Sequence, residues 1–245
     1  MRNISEIATL GLFWGMLGTT LGGFLGTIFN VKSNKIISFI LEFAAGLMTS
    51  IICFELIPES LNFGNITTCL LGILFGILGM IFCDNIIKKR VSFNMKNSSL
   101  LKTGFIILIG LTIHNFPEGL AIGSGFKASN SLGISLAIAI AVHDIPEGIS
   151  IALPLKEGGI NIFKVIVLTS FSGITTGIGA LIGAIIGNIS PIFISISLAF
   201  AAGAMLYISS CELVPESKNL YKGRFGSIGN ILGVILGICA NLVVW

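Results

Sequence analysis

Charged side chains are scarce in this sequence: they make up 10% of its 245 residues, whereas 54% are hydrophobic. A soluble domain of this size needs more polar surface, so the composition excludes one. Strands of a membrane β-barrel alternate apolar and polar residues, and runs such as Ile106–Leu111 and Ile192–Met205 lack that alternation. We therefore predict an all-α integral membrane protein.

Two common zinc signatures are also missing. None of the five cysteines forms a C-x-x-C pair, which argues against a zinc ribbon or a redox motif. We interpret the cysteines as small core residues, with Cys53 and Cys211 as soft metal contacts in a minor alternative. An intramembrane zinc-dependent hydrolase is one alternative function for a membrane protein of this kind. The H-E-x-x-H motif that is its usual signature is absent. We expect no enzymatic activity and no required cofactor. The cysteines are Cys53, Cys69, Cys83, Cys211 and Cys239.

Long apolar stretches are abundant. A membrane-spanning helix needs about 20 mostly apolar residues, and eight stretches of the chain meet this requirement with short polar breaks between them. The first has no small-residue cleavage signal, so we expect it to remain in the mature protein. The predicted spans are 7–29, 36–57, 67–87, 103–126, 131–154, 162–187, 191–214 and 226–245.

Basic residues are divided unevenly between the two sides that these spans define. If the N-terminus is outside, only Arg2 and Lys127 remain on the outer side, and the other Lys and Arg residues fall in inner loops. The positive-inside rule then predicts both termini outside. We interpret 88–102 as a cytoplasmic loop that contacts lipid headgroups rather than nucleic acid. The expected location is a bacterial cell (cytoplasmic) membrane, crossed several times.

Two internal repeats organise the chain. Residues 43–60 and 200–217 align without a gap and share eleven of eighteen residues. The second repeat is HNFPEG at 114–119 and HDIPEG at 143–148. In the predicted topology the copies of each repeat run in opposite directions, which is typical of transporters.

These repeats predict one transmembrane domain, 1–245, with eight helices in a 3+2+3 arrangement. Its parts are the inverted repeats 1–87 and 162–245, the cytoplasmic loop 88–102 and a central helix pair in 103–154. Glycines recur at helical spacing in the first and last spans. We predict that they serve close helix packing, because small residues let two helix backbones approach each other. These glycines are Gly11, Gly15, Gly18, Gly22, Gly229, Gly233 and Gly237.

The chemistry is concentrated in the central pair. Its two histidines, His114 and His143, are each followed four residues later by a glutamate, Glu118 or Glu147, which puts both side chains on one helix face. Prolines between them are expected to kink each helix and free backbone carbonyls. Facing each other, the two arms offer the two imidazoles and two carboxylates of a four-coordinate Zn²⁺ site.

Asn115 and Asp144, each directly after a histidine, add two oxygen donors, so that the glutamates could bridge two ions. Without a cation, carboxylates in a poorly solvated site would repel each other and take up protons, which makes proton exchange on metal release a hypothesis. A hydrogen-bonded structural pair is the less favoured interpretation, because polar groups inside a membrane are costly without a function.

With these motifs in the fourth and fifth of eight spans, the chain resembles the ZIP (Zrt/Irt-like) metal transporters, especially the short bacterial zinc-uptake members. The resemblance implies a primary site of His114, Glu118, His143 and Glu147, and a second site in which Asn115 and Asp144 share the glutamates. It also implies metal uptake toward the cytoplasm by alternating access, and a homodimer. We expect the cargo to be Zn²⁺, with Fe²⁺, Cd²⁺, Co²⁺ or Mn²⁺ as alternatives.

The chain departs from the family pattern at two places. The family usually shows S-G-x-x-E-P in the sixth span, where this chain has Thr176 in place of the glutamate. A second ion site would lose an anionic ligand, so we expect it to be weak or absent. The segment 88–102 contains no histidine, whereas many members of the family have a His-rich loop there, so a metal-sensing role for it is not expected.

The remaining acidic residues lie near the predicted ends of spans. The repeated Glu55, Glu59, Glu212 and Glu216 are interpreted by default as solvated caps or interface anchors, with relays at the two mouths of a transport path as the alternative. Glu6, Glu42 and Asp84 are expected at the membrane interface without a function.

Overall fold

The computed structural model describes the backbone of residues 2–28, 33–94 and 99–244, and their side chains apart from 87–94, 99–100, 102–103 and 240–244. Within these ranges it contains eight long helices and no strand, as predicted. Seven are long and apolar enough to cross a membrane, and the eighth is apolar over Phe225–Cys239. The helices are α1 Ile4–Ile28, α2 Asn34–Phe63, α3 Ile66–Asn94, α4 Ser99–Ala128, α5 Asn130–Glu157, α6 Ile162–Gly187, α7 Pro191–Leu220 and α8 Phe225–Val244.

The helix α2 extends beyond its predicted end at residue 57 and stops at Phe63. A π-helical turn, Ile52–Leu56, precedes Pro58 within it. Proline has no N–H to donate and crowds the carbonyl one turn back, and the wider turn accommodates both effects. The helix therefore continues through the proline, beyond the predicted span end. The helix α7 repeats the pattern, with a π-helical turn at Ser209–Leu213 before Pro215.

The segment predicted as a loop at 88–102 is largely helical. The helix α3 continues to Asn94 and α4 begins at Ser99, while residues 95–98 lie outside the described part of the chain. Lys, Arg and Asn are excluded from the hydrocarbon core, so they indicate where a membrane span ends. Lys and Arg are also good helix formers, so the helix itself continues into the polar segment. The cytoplasmic side of this segment stays a prediction.

The helices pack in two groups of four. The central pair α4 and α5 contacts α1 and α6, with α1 against α5 and α6 against α4. In the other group α2 packs against α8 and α7 against α3. Each of these contacts has a counterpart when the first three helices are exchanged with the last three, as inverted repeats require. Contacts of α2 with α5 and of α7 with α4 join the groups.

Two serine pairs show the same exchange at atomic detail. Ser38 Oγ lies 2.7 Å from Ser217 Oγ, and Ser60 Oγ lies 3.2 Å from Ser195 Oγ. The alignment of 43–60 with 200–217 carries Ser60 onto Ser217 and, continued backwards, Ser38 onto Ser195. The two ends of α2 are thus bound to the opposite ends of α7, so these helices are antiparallel.

The predicted role of the glycines in helix packing is confirmed. A methyl group at Gly22 of α1 would meet the backbone of α5 at Ile145 and Gly148, and one at Gly233 of α8 would meet the backbone of α2 at Phe43. Such close approach leaves no room for a side chain.

Several side chains differ in burial from what their apolar context or their position in a span predicted. Cys53, Cys211 and Cys239 are exposed on the chain rather than in its core. Their prediction as core residues is wrong, because an apolar stretch faces lipid as readily as it faces protein. Glu42, expected at the interface, is 3% exposed, and its Oε1 accepts bonds from Lys218 Nζ at 2.7 Å and Ser217 Oγ at 3.1 Å.

Candidate metal site

The two histidine–glutamate arms lie on facing sides of the central pair. His114 and Glu118 are one helical turn apart on α4, and His143 and Glu147 are one turn apart on α5. All four side chains are buried, with exposed fractions of 0–1%. Their helices pack against each other, and the short link at Ser129 makes them antiparallel. Four ionisable groups are therefore enclosed inside a membrane-spanning bundle.

Glu118 is the point where the two arms meet. Its Oε1 lies 2.8 Å from His143 Nε2 and 3.1 Å from His114 Nε2. His114 Nε2 is also 3.2 Å from Oε1 of Glu147, on the opposite helix. The convergence that the i, i+4 spacing predicted is present.

Asp144 belongs to the tightest part of the cluster. Donor atoms of Glu118, His143, Asp144 and Glu147 all lie within 4.8 Å of one another. Asp144 Oδ1 is 3.4 Å from His143 Nε2, although the family resemblance had assigned Asp144 only to a second site. The described cluster thus has three carboxylates and one imidazole at its centre, with His114 beside them.

Several of these polar atoms have no hydrogen-bond partner despite full burial. They include both carboxylate oxygens of Asp144 and of Glu147, Oε2 of Glu118 and both ring nitrogens of His114. Buried polar atoms are almost always hydrogen-bonded, and a set of exceptions at one place requires an explanation. Carboxylate oxygens and ring nitrogens that lie close together without hydrogen bonds can all direct lone pairs at one cation. This arrangement therefore suits a metal ion.

The ring of His143 is oriented by its own helix. Its Nδ1 lies 3.3 Å from the carbonyl oxygen of Ala139. A carbonyl can only accept, so this contact is a hydrogen bond when Nδ1 carries the proton, which leaves a lone pair on Nε2. Metal-binding histidines are commonly held in this way by a backbone carbonyl. The lone pair of Nε2 then points toward Oε1 of Glu118. Because both atoms are then acceptors, this contact needs a cation or a proton between them.

Pro117 and Pro146 lie inside α4 and α5, and both helices continue through them. Because proline cannot donate, the carbonyls of Ile113 and Val142 one turn earlier receive no helical bond from it. Each of these carbonyls directly precedes a histidine of the cluster, so backbone oxygens are available beside the site.

Asn115 forms a hydrogen bond at a break in α6, and this break was not predicted from the sequence. The helix consists of Ile162–Ser172 and Ile174–Gly187, joined at Gly173. Asn115 Nδ2 donates to the carbonyl of Ser172 at 3.0 Å, and its Oδ1 has no partner. Gly173 packs against the backbone of Gly15 on α1, where a side chain would collide. A serine–glycine pair in an apolar span was the available signal for this break.

Thr176 is fully buried on α6, and its Oγ1 has no partner. Its side chain lies against Gly15 of α1, and its backbone lies against Gly119 of α4, the residue after Glu118. The hydroxyl is a neutral oxygen where the family pattern has a carboxylate.

The repeated glutamates occupy different environments. Glu55 is 4% exposed and accepts a bond from Ser135, so its default interpretation as a solvated cap is wrong. The π-helical turn places it inside α2 rather than at its end. Glu59 is half-buried near the end of α2. Glu212 and Glu216 on α7 line a cavity.

This large cavity has a volume of about 440 Å³. It is lined by the N-terminal parts of α2 and α4 and by residues in the C-terminal halves of α3, α5 and α7, which lie toward the same end of the bundle. It extends to Gly110, one turn before His114, and to Ser150, whose hydroxyl bonds to the carbonyl of Glu147 at 2.7 Å. The cavity therefore approaches the cluster to within about one helical turn.

Comparison with known proteins decides the family. The profile of the ZIP zinc transporters matches residues 94–244. The chain is 32% identical to the zinc transporter ZupT of Shigella flexneri serotype 5b and 33% identical to that of Escherichia coli O127:H6, over 88% of each chain. The chain belongs to the ZIP family. It is also 38% identical to the zinc transporter GufA of Myxococcus xanthus, over 60% of this chain and 56% of that protein.

Membership in the ZIP family agrees with the resemblance found in the two H-x-x-P-E-G motifs. These relatives are named as transporters, in agreement with the prediction that the chain is not an enzyme. The intramembrane hydrolase is therefore set aside as an alternative. The apolar helices and the family together make the chain a multi-pass membrane protein.

Proposed function

We propose that this ZIP protein carries a divalent transition-metal ion, in the first place Zn²⁺, across the membrane through the buried cluster between α4 and α5. The observation that carries the proposal is the set of donor atoms of Glu118, His143, Asp144 and Glu147 within 4.8 Å of one another. Three carboxylates so close together in a buried site repel one another, and a divalent cation removes that repulsion. The names of the relatives favour zinc.

The donor set separates transition metals from the common hard cations. Imidazole with carboxylates suits Zn²⁺, Fe²⁺, Co²⁺, Mn²⁺ and Cd²⁺. Mg²⁺ requires near-octahedral oxygen ligands and loses its water reluctantly, so a site containing His143 and His114 disfavours it. We expect Zn²⁺ to be held by both glutamates and both histidines, with Asp144 as a fifth donor.

A second ion would use Asn115, Asp144 and the shared glutamates. Asn115 is occupied by the carbonyl of Ser172, and Thr176 supplies a hydroxyl without charge. Both features weaken a second site, so we propose that one ion is bound tightly during transport.

The large cavity supports uptake toward the cytoplasm. Its end of the bundle carries Lys35, Lys156 and Lys218, and the positive-inside rule assigns that end to the cytoplasm. The arrangement is then one in which a cavity approaches the cluster from the cytoplasm, and alternating access requires a second arrangement that opens to the outside. Both termini lie outside in this proposal. The homodimer and the cell membrane as location stay predictions.

Metal flux into proteoliposomes tests this function. The purified protein is expected to carry Zn²⁺ in a saturable manner, with competition by Cd²⁺ and none by Mg²⁺. Glu118→Ala and Glu147→Ala are expected to abolish the flux. Glu6→Gln is the matched control, because Glu6 is an exposed carboxylate near the start of α1 and remote in sequence from the cluster.

Two results would contradict the proposal. Equal competition by Mg²⁺ would show that imidazole does not select the ion. Large non-saturating currents would indicate a channel with a continuous pore instead of a transporter.

A further inference from the structure

A second cavity of about 200 Å³ lies beside the part of α5 that precedes His143, whereas the large cavity lies beside the part that follows Glu147. This small cavity is bordered by α2, α5 and α8, and its lining includes Ala139 and Val142, which precede His143 on α5. The carbonyl of Ala139 is the group that orients His143. The small cavity thus lies beside the turn of α5 that directly precedes the cluster.

Glu55 supplies the carboxylate in the lining of the small cavity. Ser135 Oγ donates to Glu55 Oε2 at 3.2 Å, and the two residues are 4% and 3% exposed. Glu55 lies on α2 and Ser135 on α5, so this bond crosses between the two groups of four helices. A change in the relative position of the groups must lengthen or break it.

The corresponding position at the large cavity is built differently. Glu212 in the π-helical turn of α7 is the repeat counterpart of Glu55 and lines the large cavity. By the alignment of HNFPEG with HDIPEG, the counterpart of Ser135 on α4 is Ile106, which has no hydroxyl and also lines that cavity. The bond between Ser135 and Glu55 therefore joins the two helix groups at the small cavity. The counterpart pair, Ile106 and Glu212, lies at the large cavity.

We propose that Glu55 and Ser135 form the gate on the outer side of the metal path. Their bond holds α5 against α2 while the large cavity is present, and it must open before an ion from outside can reach His143. This inference rests on the proposed function, because a gate presupposes an ion that passes it. Glu55 is then a positioning residue for the helix groups and meets the ion before the cluster does.

Thiol labelling without metal tests the gate. The parent is a cysteine-free variant that carries Ala139→Cys, a reporter in the lining of the small cavity, and the reagent is a membrane-impermeant maleimide added outside intact cells. Ser135→Ala is expected to raise the labelling rate about three- to tenfold, the effect of losing one hydrogen bond on a two-state equilibrium. Ser135→Thr keeps the hydroxyl and is expected to label at the parent rate.

Ser124→Ala is the matched control. Ser124 is also fully buried, but its hydroxyl bonds to the carbonyl of Gly183, so this contact joins α4 to α6 within one helix group. Its loss is expected to leave the labelling rate unchanged. If Ser135→Ala does not fold, Glu55→Ala removes the same bond from α2 and is expected to raise labelling likewise.

The gate and the proposed function fail in distinguishable ways. An unchanged labelling rate in both gate variants, with zinc flux intact in the parent, overturns the gate alone. Equal increases in Ser135→Ala, Ser135→Thr and Ser124→Ala also overturn it, since they indicate general loosening. Absence of zinc flux in the wild-type protein overturns the proposed function whatever the labelling shows.

Discussion

Replacing Asp144 by asparagine is expected to stabilise the metal-free protein and to reduce the stabilisation that zinc adds. Both oxygens of Asp144 are buried without a hydrogen-bond partner, among the carboxylates of Glu118 and Glu147. A buried group left unsatisfied costs about 1–3 kcal/mol. Asp144→Asn removes the charge at almost constant volume, so the metal-free protein is expected to become more stable.

The effect on zinc binding follows from linkage. Zinc at 100 times its Kd stabilises the folded state by about 2.7 kcal/mol, and about 1 kcal/mol raises the Tm of a chain of this size by about 2–4 °C. The wild-type protein should therefore gain about 5–11 °C from zinc. If losing Asp144 weakens binding about 100-fold, the same zinc concentration adds only about 0.4 kcal/mol, or about 1 °C.

Thermal unfolding of the purified protein, with a chelator and with zinc, measures both effects. Asn115→Asp is the reciprocal control, because the amide of Asn115 donates to the carbonyl of Ser172 and a carboxylate there faces that carbonyl instead. It is expected to destabilise the metal-free protein. A metal-free Asp144→Asn protein that is less stable than wild type, or one with the full zinc-induced shift, would refute the reasoning.

Three further predictions follow from the contacts. Glu42→Ala removes an ion pair with Lys218, which is 41% exposed and still donates to Ser227 Oγ, so it is expected to cost only about 1 kcal/mol. The cost should appear as a lower Tm with an unchanged zinc-induced shift, and a lost shift would contradict this. Gly22→Ala is expected to abolish folded protein in size-exclusion chromatography, because the added methyl group meets the backbone of α5. Gly79→Ala is the control and is expected to fold, because its methyl group meets only the Phe200 ring, at 3.5 Å. Equal yields of the two variants would contradict this prediction. Calorimetric titration is expected to find one tight zinc site in wild type and a second in Thr176→Glu, and two tight sites in wild type would contradict the effect assigned to Thr176.

The spans and the facing arms were predictable because each depends on a short-range pattern. Apolar length predicts a membrane helix, and the spacing of His143 and Glu147 places both on one face whatever the surroundings. The repeated motif on an antiparallel neighbour then predicted that the faces meet. Glu118, between His114 and His143, bears this out.

Other features depend on how neighbouring helices cross, which the sequence does not express locally. The π-helical turn before Pro58 keeps Glu55 inside α2, whereas the length of the apolar span had placed Glu55 near a span end. The place of Asp144 in the tight cluster depends on the approach of α4 to α5, and neither helix alone sets it. The exposure of Cys211 shows that apolar context does not distinguish a core from a cavity wall.

Anomalous scattering at the zinc absorption edge from crystals of the zinc-bound protein tests the central claim most directly. The account predicts a peak between α4 and α5, about 2.0–2.2 Å from Nε2 of His143 and from carboxylate oxygens of Glu118 and Glu147. A strong peak elsewhere with none at this position, or sulfur ligands at about 2.3 Å from Cys53 or Cys211, would contradict it.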